Sequence, residues 1–194
     1  FMPWVSDFLD SDNIPGVLLM AALTPFIMPL IDESQRSRFE FNTYVYGDSG
    51  SGKSAITKLL VDYFEGSPNI INLHSNKSEI DKIFEYKHCC VAIDDLCGTD
   101  SNRERENNEQ KLSENLKRVQ TPGQIVRDGK RIKNESMLFV TGEYLLKSSS
   151  TLNRCLVVNL KDPIPPKEIN KLCRNKDQYL EMVRRFIEWV CKNY

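Results

Sequence analysis

The order of apolar and polar runs along the chain predicts alternating strands and helices. The run "FEFNTYVY" at 39–46 is rich in aromatic and β-branched residues, which favour strands. Apolar residues then recur at three- and four-residue spacing over 52–64, which is typical of one face of a helix. A further helix is expected before this strand, over residues 14–31.

Four short apolar runs predict further strands buried in a sheet. These runs are "NIINL" (69–73), "HCCVAI" (88–93), "MLFV" (137–140) and "CLVVNL" (155–160). The run at 88–93 is continuous rather than alternating, as expected of a strand that is covered on both faces.

The segments between these runs carry helix signals. Asn76 with Glu79 three residues later is typical of a capping box and predicts a helix over 76–86. The polar segment at 98–110 is expected to be a loop that leads into a helix near 106–120, and its alternating charges predict a solvated face. Two amphipathic helices are expected after the break "DPIPP".

This alternation predicts an α/β fold of three layers, with a mostly parallel five-stranded sheet between helices. We expect residues 1–161 to form the core domain with an N-terminal helix, and residues 162–194 to form a small helical segment.

Composition narrows the class of protein. With 40% hydrophobic and 27% charged residues, the chain has an ordinary globular composition, and its formal net charge of −1 means that any nucleic-acid contact must come from a local patch. The apolar stretch at 16–31 is shorter than the ~20 residues of a membrane span and contains two prolines, so it predicts a buried helix. Six cysteines without CxxC spacing fit a reducing cytoplasm, which is the expected location. Because the chain starts at Phe1 rather than Met, we expect it to be part of a longer protein.

The candidate chemistry begins at "GDSGSGKS", between a predicted strand and a predicted helix. It matches the phosphate-loop pattern G-x-x-x-x-G-K-[ST], in which glycines let backbone N–H groups surround phosphate oxygens at a helix N-terminus. Lys53 is expected to reach the β- and γ-phosphates of ATP, and the Ser54 hydroxyl to ligate Mg²⁺. The predicted nucleotide-binding residues are Gly47, Asp48, Ser49, Gly50, Ser51, Gly52, Lys53, Ser54 and Ala55. The alternative is a chance turn rich in Gly and Ser.

An acidic pair supplies the partner that such a loop needs. "HCCVAIDDL" is an apolar run that ends in Asp94 and Asp95, so both would lie at the carboxyl end of a parallel strand, where ligands of such sheets bind. Asp94 is expected to hold Mg²⁺ directly or through water. Asp95 is expected to act as the base that polarises the attacking water. The alternative is a solvated acidic turn.

The chain resembles the AAA+ ATPases. More narrowly, it is similar to the helicase-type P-loop domain in replication proteins of phages and integrative elements, which are relatives of ring helicases such as the MCM group. The resemblance covers about residues 16–160 and is carried by "AALTPFIMPLI", "GDSGSGKSAIT", "VAIDDL", "LFVTGEYLL" and "SSSTLNRCLVVNL".

This resemblance implies further site residues. Thr141 matches the polar sensor that touches the γ-phosphate or the lytic water, and Glu143 belongs to the same motif without an assigned role. Arg154 matches an arginine finger that serves the neighbouring subunit, which implies a homo-oligomeric ring, with a hexamer among the options. The alternative for Arg154 is a surface or helix-end charge.

The chain departs from the family pattern at two places. The usual Asp-Glu pair is Asp94-Asp95 here, and because aspartate is one methylene shorter, either weak hydrolysis or a different base is open. The resemblance also implies that 162–194 is a lid with a sensor arginine, for which three residues are candidates: Arg174, Arg184 and Arg185.

A basic hairpin is predicted just before the sensor strand. Asp128-Gly129 lies between two short β-type runs in "QIVRDGKRIK", which is a strong two-residue turn signal. Four basic residues flank the turn: Arg127, Lys130, Arg131 and Lys133. In the related ring helicases a hairpin at this place grips the nucleic-acid backbone, and basic side chains would neutralise phosphates without reading bases. The alternative is a charged hairpin that protects a sheet edge.

Three functions follow from these motifs. The first is a Mg²⁺-dependent ATPase that drives a DNA helicase or replication initiator of a mobile genetic element on single- or double-stranded DNA. The second is a P-loop kinase for small molecules. The third is a nucleotide-binding switch with weak hydrolysis.

Overall fold

A computed structural model places five strands in one sheet, in which each strand is parallel to the neighbours it pairs with. The structure describes residues 14–36, 40–63, 70–73, 83, 85–96, 101–120, 125–127, 130–132 and 134–194. The predicted helix at 76–86 therefore lies mostly outside the described residues.

The strands follow the predicted order along the chain. The main sheet contains β1 (Asn42–Tyr46), β2 (Ile70–Asn72), β3 (Lys87–Leu96), β6 (Glu135–Gly142) and β7 (Cys155–Asn159), in the spatial order β2-β3-β6-β1-β7. A separate antiparallel pair consists of β4 (Ile125–Arg127) and β5 (Lys130–Ile132).

Helices fill the connections between these strands. They are α1 (Ile14–Ile27), α2 (Glu33–Arg36), α3 (Lys53–Val61), α4 (Asn102–Gln120), α5 (Ser149–Leu152), α6 (Pro166–Arg174) and α7 (Lys176–Asn193). A 3₁₀ turn at Met28–Leu30 continues α1, so the apolar stretch predicted as one helix is a helix with a tighter end. Within the described ranges, no helix has the length and hydrophobicity needed to cross a membrane.

The sheet is covered on both faces, which explains the continuous apolar runs in its strands. Successive residues of a strand point to opposite faces. Ala92 faces a core that includes residues of α1, α3 and α7, whereas Val91 and Ile93 face a second core that includes Leu112 and Leu116 of α4. The predicted three-layer α/β fold with a five-stranded parallel sheet is confirmed.

The strand order brings three carboxyl ends together. β6 lies between β1 and β3, and the register pairs Tyr46 with Gly142 and Ile93 with Val140. Because parallel strands end at the same edge of a sheet, the segments that follow β1, β3 and β6 converge there.

The start of α4 corrects a prediction. The helix begins at Asn102 rather than near residue 106, so most of the segment expected to be a loop is helical. Ser101 accounts for this start, because its hydroxyl accepts a hydrogen bond from the N–H of Glu104 at 3.3 Å and its carbonyl accepts one from Arg105. The first turns of this helix, residues 102–111, contain no apolar residue, so the hydrophobic pattern did not predict them.

The C-terminal helix is attached to the helix that follows the first strand. Tyr179 is buried and donates its hydroxyl to the carbonyl of Leu60 at 2.7 Å, and Lys176 Nζ lies 2.6 Å from Asp62 Oδ2. These contacts hold α7 against the C-terminal end of α3. The division of the chain at residue 161 stays a prediction.

Gly142 offers a test of packing at the convergent edge. A Cβ at this residue would lie 2.3 Å from the Tyr44 hydroxyl oxygen and 3.0 Å from its ring. That hydroxyl donates a hydrogen bond to the Tyr144 carbonyl at 2.5 Å. We therefore expect Gly142→Ala to destabilise the protein by about 1–3 kcal/mol, measured by urea unfolding.

A double-mutant cycle sharpens this prediction. Tyr44→Phe removes the oxygen atom that would clash most severely, so Gly142→Ala should cost less in the Tyr44→Phe background than in the wild type. Strictly additive free energies of unfolding would contradict the packing described here.

Candidate active site

The phosphate loop connects β1 to α3, and each of its three glycines has a structural reason. Gly50 and Gly52 have φ values of +76° and +92°, in the left-handed region that favours glycine. Gly47 is restricted by space instead, because a Cβ there would lie 2.4 Å from the carbonyl oxygen of Leu160. The glycines thus allow a sharply turned loop packed close to the chain that follows β7.

Three backbone hydrogen bonds stabilise the loop, one within it and two to neighbouring segments. The N–H of Ser51 donates to the Asp48 carbonyl at 3.2 Å, which closes a turn inside the loop. The N–H of Gly47 donates to the Gly142 carbonyl at the end of β6, and the N–H of Ile164 donates to the Ser51 carbonyl at 3.0 Å. The loop is therefore connected both to the end of β6 and to the C-terminal segment.

Lys53 lies inside the loop. It is 7% exposed, and its Nζ lies 2.8 Å from the Gly47 carbonyl, 2.7 Å from the Asp48 carbonyl and 3.3 Å from Ser51 Oγ. An ammonium group has three donors, and these contacts satisfy all of them. A phosphate oxygen that enters the loop would compete with these acceptors for the same positive charge.

Asp94 is the point where three elements meet. Its Oδ1 accepts hydrogen bonds from Ser54 Oγ at 2.8 Å and from Thr141 Oγ1 at 2.5 Å. Its Oδ2 lies 3.0 Å from Lys58 Nζ. The carboxylate thus connects β3, which carries it, to α3 and to β6.

The electrostatics of these contacts keep Asp94 ionised. Burial acts to raise its pKa, but the hydrogen bonds from Thr141, Lys58 and Ser54, together with the charge of Lys58, hold the pKa below its usual value. The side chain therefore presents a carboxylate at neutral pH.

The donors at this point fit a magnesium ion. The Ser54 hydroxyl and the Asp94 carboxylate are hard oxygen ligands, and Mg²⁺ in nucleotide sites is usually held by one or two carboxylates together with phosphates and water. The residues present are thus those that a metal-nucleotide complex requires.

These groups surround a cleft of about 320 Å³ at the carboxyl edge of the sheet. Its lining comes from the phosphate loop and the ends of β3 and β6: Ser49, Gly50, Lys53, Ser54, Asp94, Leu96, Thr141, Gly142 and Glu143. The structure thus brings together the loop, the first aspartate and the sensor threonine that sequence analysis singled out. It adds Glu143 as a second carboxylate residue of the cleft.

Asp95 belongs to β3 in its backbone, but its side chain lies outside what the structure describes. The pairing of β3 with β6 shifts register between Ile93 and Leu96, so the strand is irregular here. Strict alternation therefore does not fix the direction of a side chain at this position. The role of Asp95 as a base stays a prediction.

Arg154 lies at the amino ends of the parallel strands, opposite the cleft. It precedes β7, and its carbonyl accepts a hydrogen bond from the N–H of Asn42, the first residue of β1. The phosphate loop follows the last residue of β1, and at ~3.3 Å per residue the strand separates the two places by about 15 Å. Arg154 is thus far from the phosphate loop of its own chain.

The three candidate lid arginines lie on the C-terminal helices. Arg174 is exposed at the end of α6. Arg184 and Arg185 are exposed on α7, and both form ion pairs with Glu181 at 2.7 Å. Neither these pairs nor the cleft lining distinguishes a sensor arginine among them.

The hairpin is present where it was predicted. β4 and β5 pair antiparallel, with Arg127 opposite Lys130 and Val126 opposite Arg131. Their side chains, and all of Asp128, Gly129 and Lys133, lie outside the described part of the chain. The hairpin precedes β6 directly, so it is joined to the strand that carries Thr141.

Contacts of α4 correct the prediction of a solvated charged face. The Arg105 guanidinium lies 4.5 Å from the centre of the Tyr144 ring, which is a cation–π contact. Glu109 is buried, and its Oε2 accepts a hydrogen bond from the N–H of Lys147 at 3.0 Å. Part of the charged segment therefore packs against the loop after β6, because that loop supplies an aromatic ring and a backbone donor.

Lys58 was missed by sequence analysis. It lies four residues after Ser54 on α3, so both side chains share one helix face, and this spacing was the available signal. Its partner Asp94 is on a different strand and could not be assigned to it from the sequence.

A comparison with known protein families covers the region that contains this cleft. The model of a family described as Novel STAND NTPase 3 matches residues 42–156, which include the phosphate loop, Asp94 and Thr141. No curated protein matches the chain.

Two solved structures are similar to the chain. One is described as "SCCmec type IV Cch - active helicase", with 14% identity, a TM-score of 0.54, and coverage of 91% of this chain and 34% of that chain. The other is C. elegans PCH-2, with 14% identity, a TM-score of 0.49, and coverage of 80% and 44%. This chain thus spans about a third of the length of Cch, and the likeness is one of fold.

The family match confirms the predicted P-loop NTPase domain, and the predicted likeness to a helicase-type domain is confirmed in fold alone. Because the family model matches more than half of the chain, the chain belongs to the Novel STAND NTPase 3 family.

Proposed function

We propose that this NTPase chain is a Mg²⁺-dependent ATPase and forms the motor domain of a DNA helicase or replication initiator of a mobile genetic element. The observation that supports it most directly is the Asp94 carboxylate, which binds Ser54 of the phosphate loop and Thr141 of β6 at the same oxygen. In phosphate-loop NTPases, a metal-bound triphosphate lies between the phosphate loop and the ends of the neighbouring strands, and Asp94 occupies this place here.

The residues of the chain have distinct roles in this proposal. The loop amides and the N-terminus of α3 bind phosphate oxygens, and Lys53 moves from the carbonyls of Gly47 and Asp48 to the β- and γ-phosphates. Ser54 and Asp94 would hold the metal, which would neutralise charge that develops on the phosphates. Thr141 leaves Asp94 to orient the γ-phosphate or the water.

The base that activates water is one of two carboxylates. Asp95 follows the metal ligand directly and is the candidate that the sequence favours. Glu143 lines the same cleft as Lys53 and Thr141. The family pattern has a glutamate where this chain has Asp95. The side chain of Glu143 is one methylene longer than that of Asp95, so it would supply the reach that this replacement removes.

The position of Arg154 supports assembly into a ring. An arginine that lies about 15 Å from its own phosphate loop can act on a nucleotide only across an interface with a second copy of the chain. The hairpin of β4 and β5 would then provide basic residues to the DNA backbone. The similarity to Cch, itself described as an active helicase, agrees with this assignment in fold.

A second candidate function is a nucleotide-binding switch that hydrolyses ATP weakly. The specific observation in its favour is the shorter carboxylate, Asp95, at the place where the family pattern has a glutamate. Tight binding of ATP without turnover would support this function and contradict the motor.

Lys53→Ala tests the assignment of the site. We expect it to lower ATP hydrolysis by a factor of about 10² or more, because it removes a preorganised cation from the phosphates. The measurement is phosphate release together with binding of a fluorescent ATP analogue, with circular dichroism to check the fold. Lys111→Ala, at an exposed lysine of α4, is the matched control and should be unchanged.

The same assay distinguishes the motor from the other functions. Hydrolysis is measured with and without single-stranded DNA, and stimulation by DNA is expected of a motor. Full activity of Lys53→Ala would contradict the assignment of the site. Wild-type hydrolysis that is unchanged by DNA would contradict only the helicase assignment.

Two amide variants identify the base. If Asp95 is the base, Asp95→Asn should abolish turnover while ATP binding stays intact, and Glu143→Gln should keep most of the activity. Single-turnover hydrolysis with saturating ATP measures this directly. The opposite result would assign the base to Glu143, and normal turnover in both variants would exclude both carboxylates.

Arg154→Ala tests the shared site. We expect ATP binding to be kept and turnover to be lost, because the guanidinium acts on a neighbour's nucleotide. Mixing this variant with Lys53→Ala should restore part of the activity, since some interfaces would then combine an intact loop with an intact arginine. Full activity of Arg154→Ala alone would exclude the finger.

A further inference from the structure

Lys58 occupies the side of Asp94 that the phosphate loop leaves open. Its Nζ lies 3.0 Å from Oδ2, while Oδ1 is already shared by Ser54 and Thr141. Both oxygens of the carboxylate are thus engaged, and the negative charge that would attract a metal has a cation of the chain beside it.

The place of Lys58 on α3 explains why it reaches this carboxylate. Ser54 and Lys58 are four residues apart, so the ammonium and the hydroxyl that would ligate a metal lie on one face of the helix. The Lys58 side chain is 48% exposed, whereas that of Asp94 is 16% exposed. Lys58 can therefore turn into solvent, while Asp94 stays at the edge of the sheet.

We propose that Lys58 is an internal counter-ion that competes with the divalent metal for Asp94, so that the metal binds together with the nucleotide and poorly on its own. This inference rests on the proposed function of the site. Two cations beside one carboxylate repel each other, so the metal must displace the ammonium. The phosphates of the nucleotide bring the additional negative charge that makes this displacement favourable.

The competition makes the site selective for the metal-nucleotide complex. Without nucleotide, Lys58 neutralises Asp94 and keeps Ser54 and Thr141 in place around it. With nucleotide, the ammonium is free to contact a phosphate oxygen or water, and the carboxylate becomes available. Lys58 is thus a positioning and specificity residue rather than a catalytic one.

Metal binding without nucleotide tests this proposal. Mn²⁺ replaces Mg²⁺ as the probe, and free Mn²⁺ is followed by electron paramagnetic resonance. We expect Lys58→Gln to bind Mn²⁺ about fivefold more tightly than the wild type, the factor that corresponds to a partly exposed ion pair. Lys58→Arg keeps the charge and should bind Mn²⁺ as weakly as the wild type.

Lys176→Gln is the matched control. Lys176, whose side chain is 40% exposed against 48% for Lys58, pairs with Asp62 at the other end of α3. Removing that ammonium changes the net charge equally but leaves Asp94 untouched, so Mn²⁺ affinity should equal that of the wild type. An equal gain in both variants would assign the effect to net charge and overturn the proposal.

A double variant and a separate measurement of ATP binding complete the design. Lys58→Gln/Asp94→Asn should lose the gain, because the metal ligand is gone. The proposal is overturned if Lys58→Gln binds Mn²⁺ no better than the wild type, including the case in which neither binds measurably. A clear Mn²⁺ gain in a chain that does not bind ATP would instead contradict the proposed function and leave the competition at Asp94 intact.

Discussion

The hydrogen-bonded carboxylate of Asp94 is the interaction on which the candidate site depends. It receives Ser54 and Thr141 at one oxygen and Lys58 at the other, so one side chain of β3 contacts both the helix after the phosphate loop and β6. This is possible because β6 lies between β1 and β3 and all three strands are parallel. A different strand order would separate the loop from the carboxylate even with the same local motifs.

The parts of this arrangement that the sequence predicts are those encoded by neighbouring residues. The phosphate loop is a contiguous pattern, and its positive φ values at Gly50 and Gly52 follow from the residue type. Asp94 was predicted because it ends an apolar run, and a buried parallel strand ends where ligands bind. The sheet itself followed from the alternation of apolar runs and helical spacing.

The parts that sequence analysis missed depend on residues that are distant along the chain. The sequence around Lys58 does not identify Asp94 as its partner. The sequence around Arg105 does not indicate that the ring of Tyr144 lies beside it. The start of α4 was missed for a related reason, since residues 102–111 include no apolar residue that could form a periodic stripe. Periodicity detects elements through the core they bury, so an element held by caps and side-chain contacts gives a weaker signal.

The C-terminal segment contacts the phosphate loop at one end of α3 and the last turn of α3 at the other. At the loop, Ile164 donates its N–H to the Ser51 carbonyl, and the side chains of Ile164 and Ile169 occupy the space that a Cβ at Gly52 would take. At the far end, Tyr179 binds the carbonyl of Leu60. Because Ile164 and Ile169 leave no room for a Cβ at Gly52, a change in the loop at this residue would shift these side chains or strain their contacts. Residues 162–194 are therefore coupled to the phosphate loop and to α3 through these contacts.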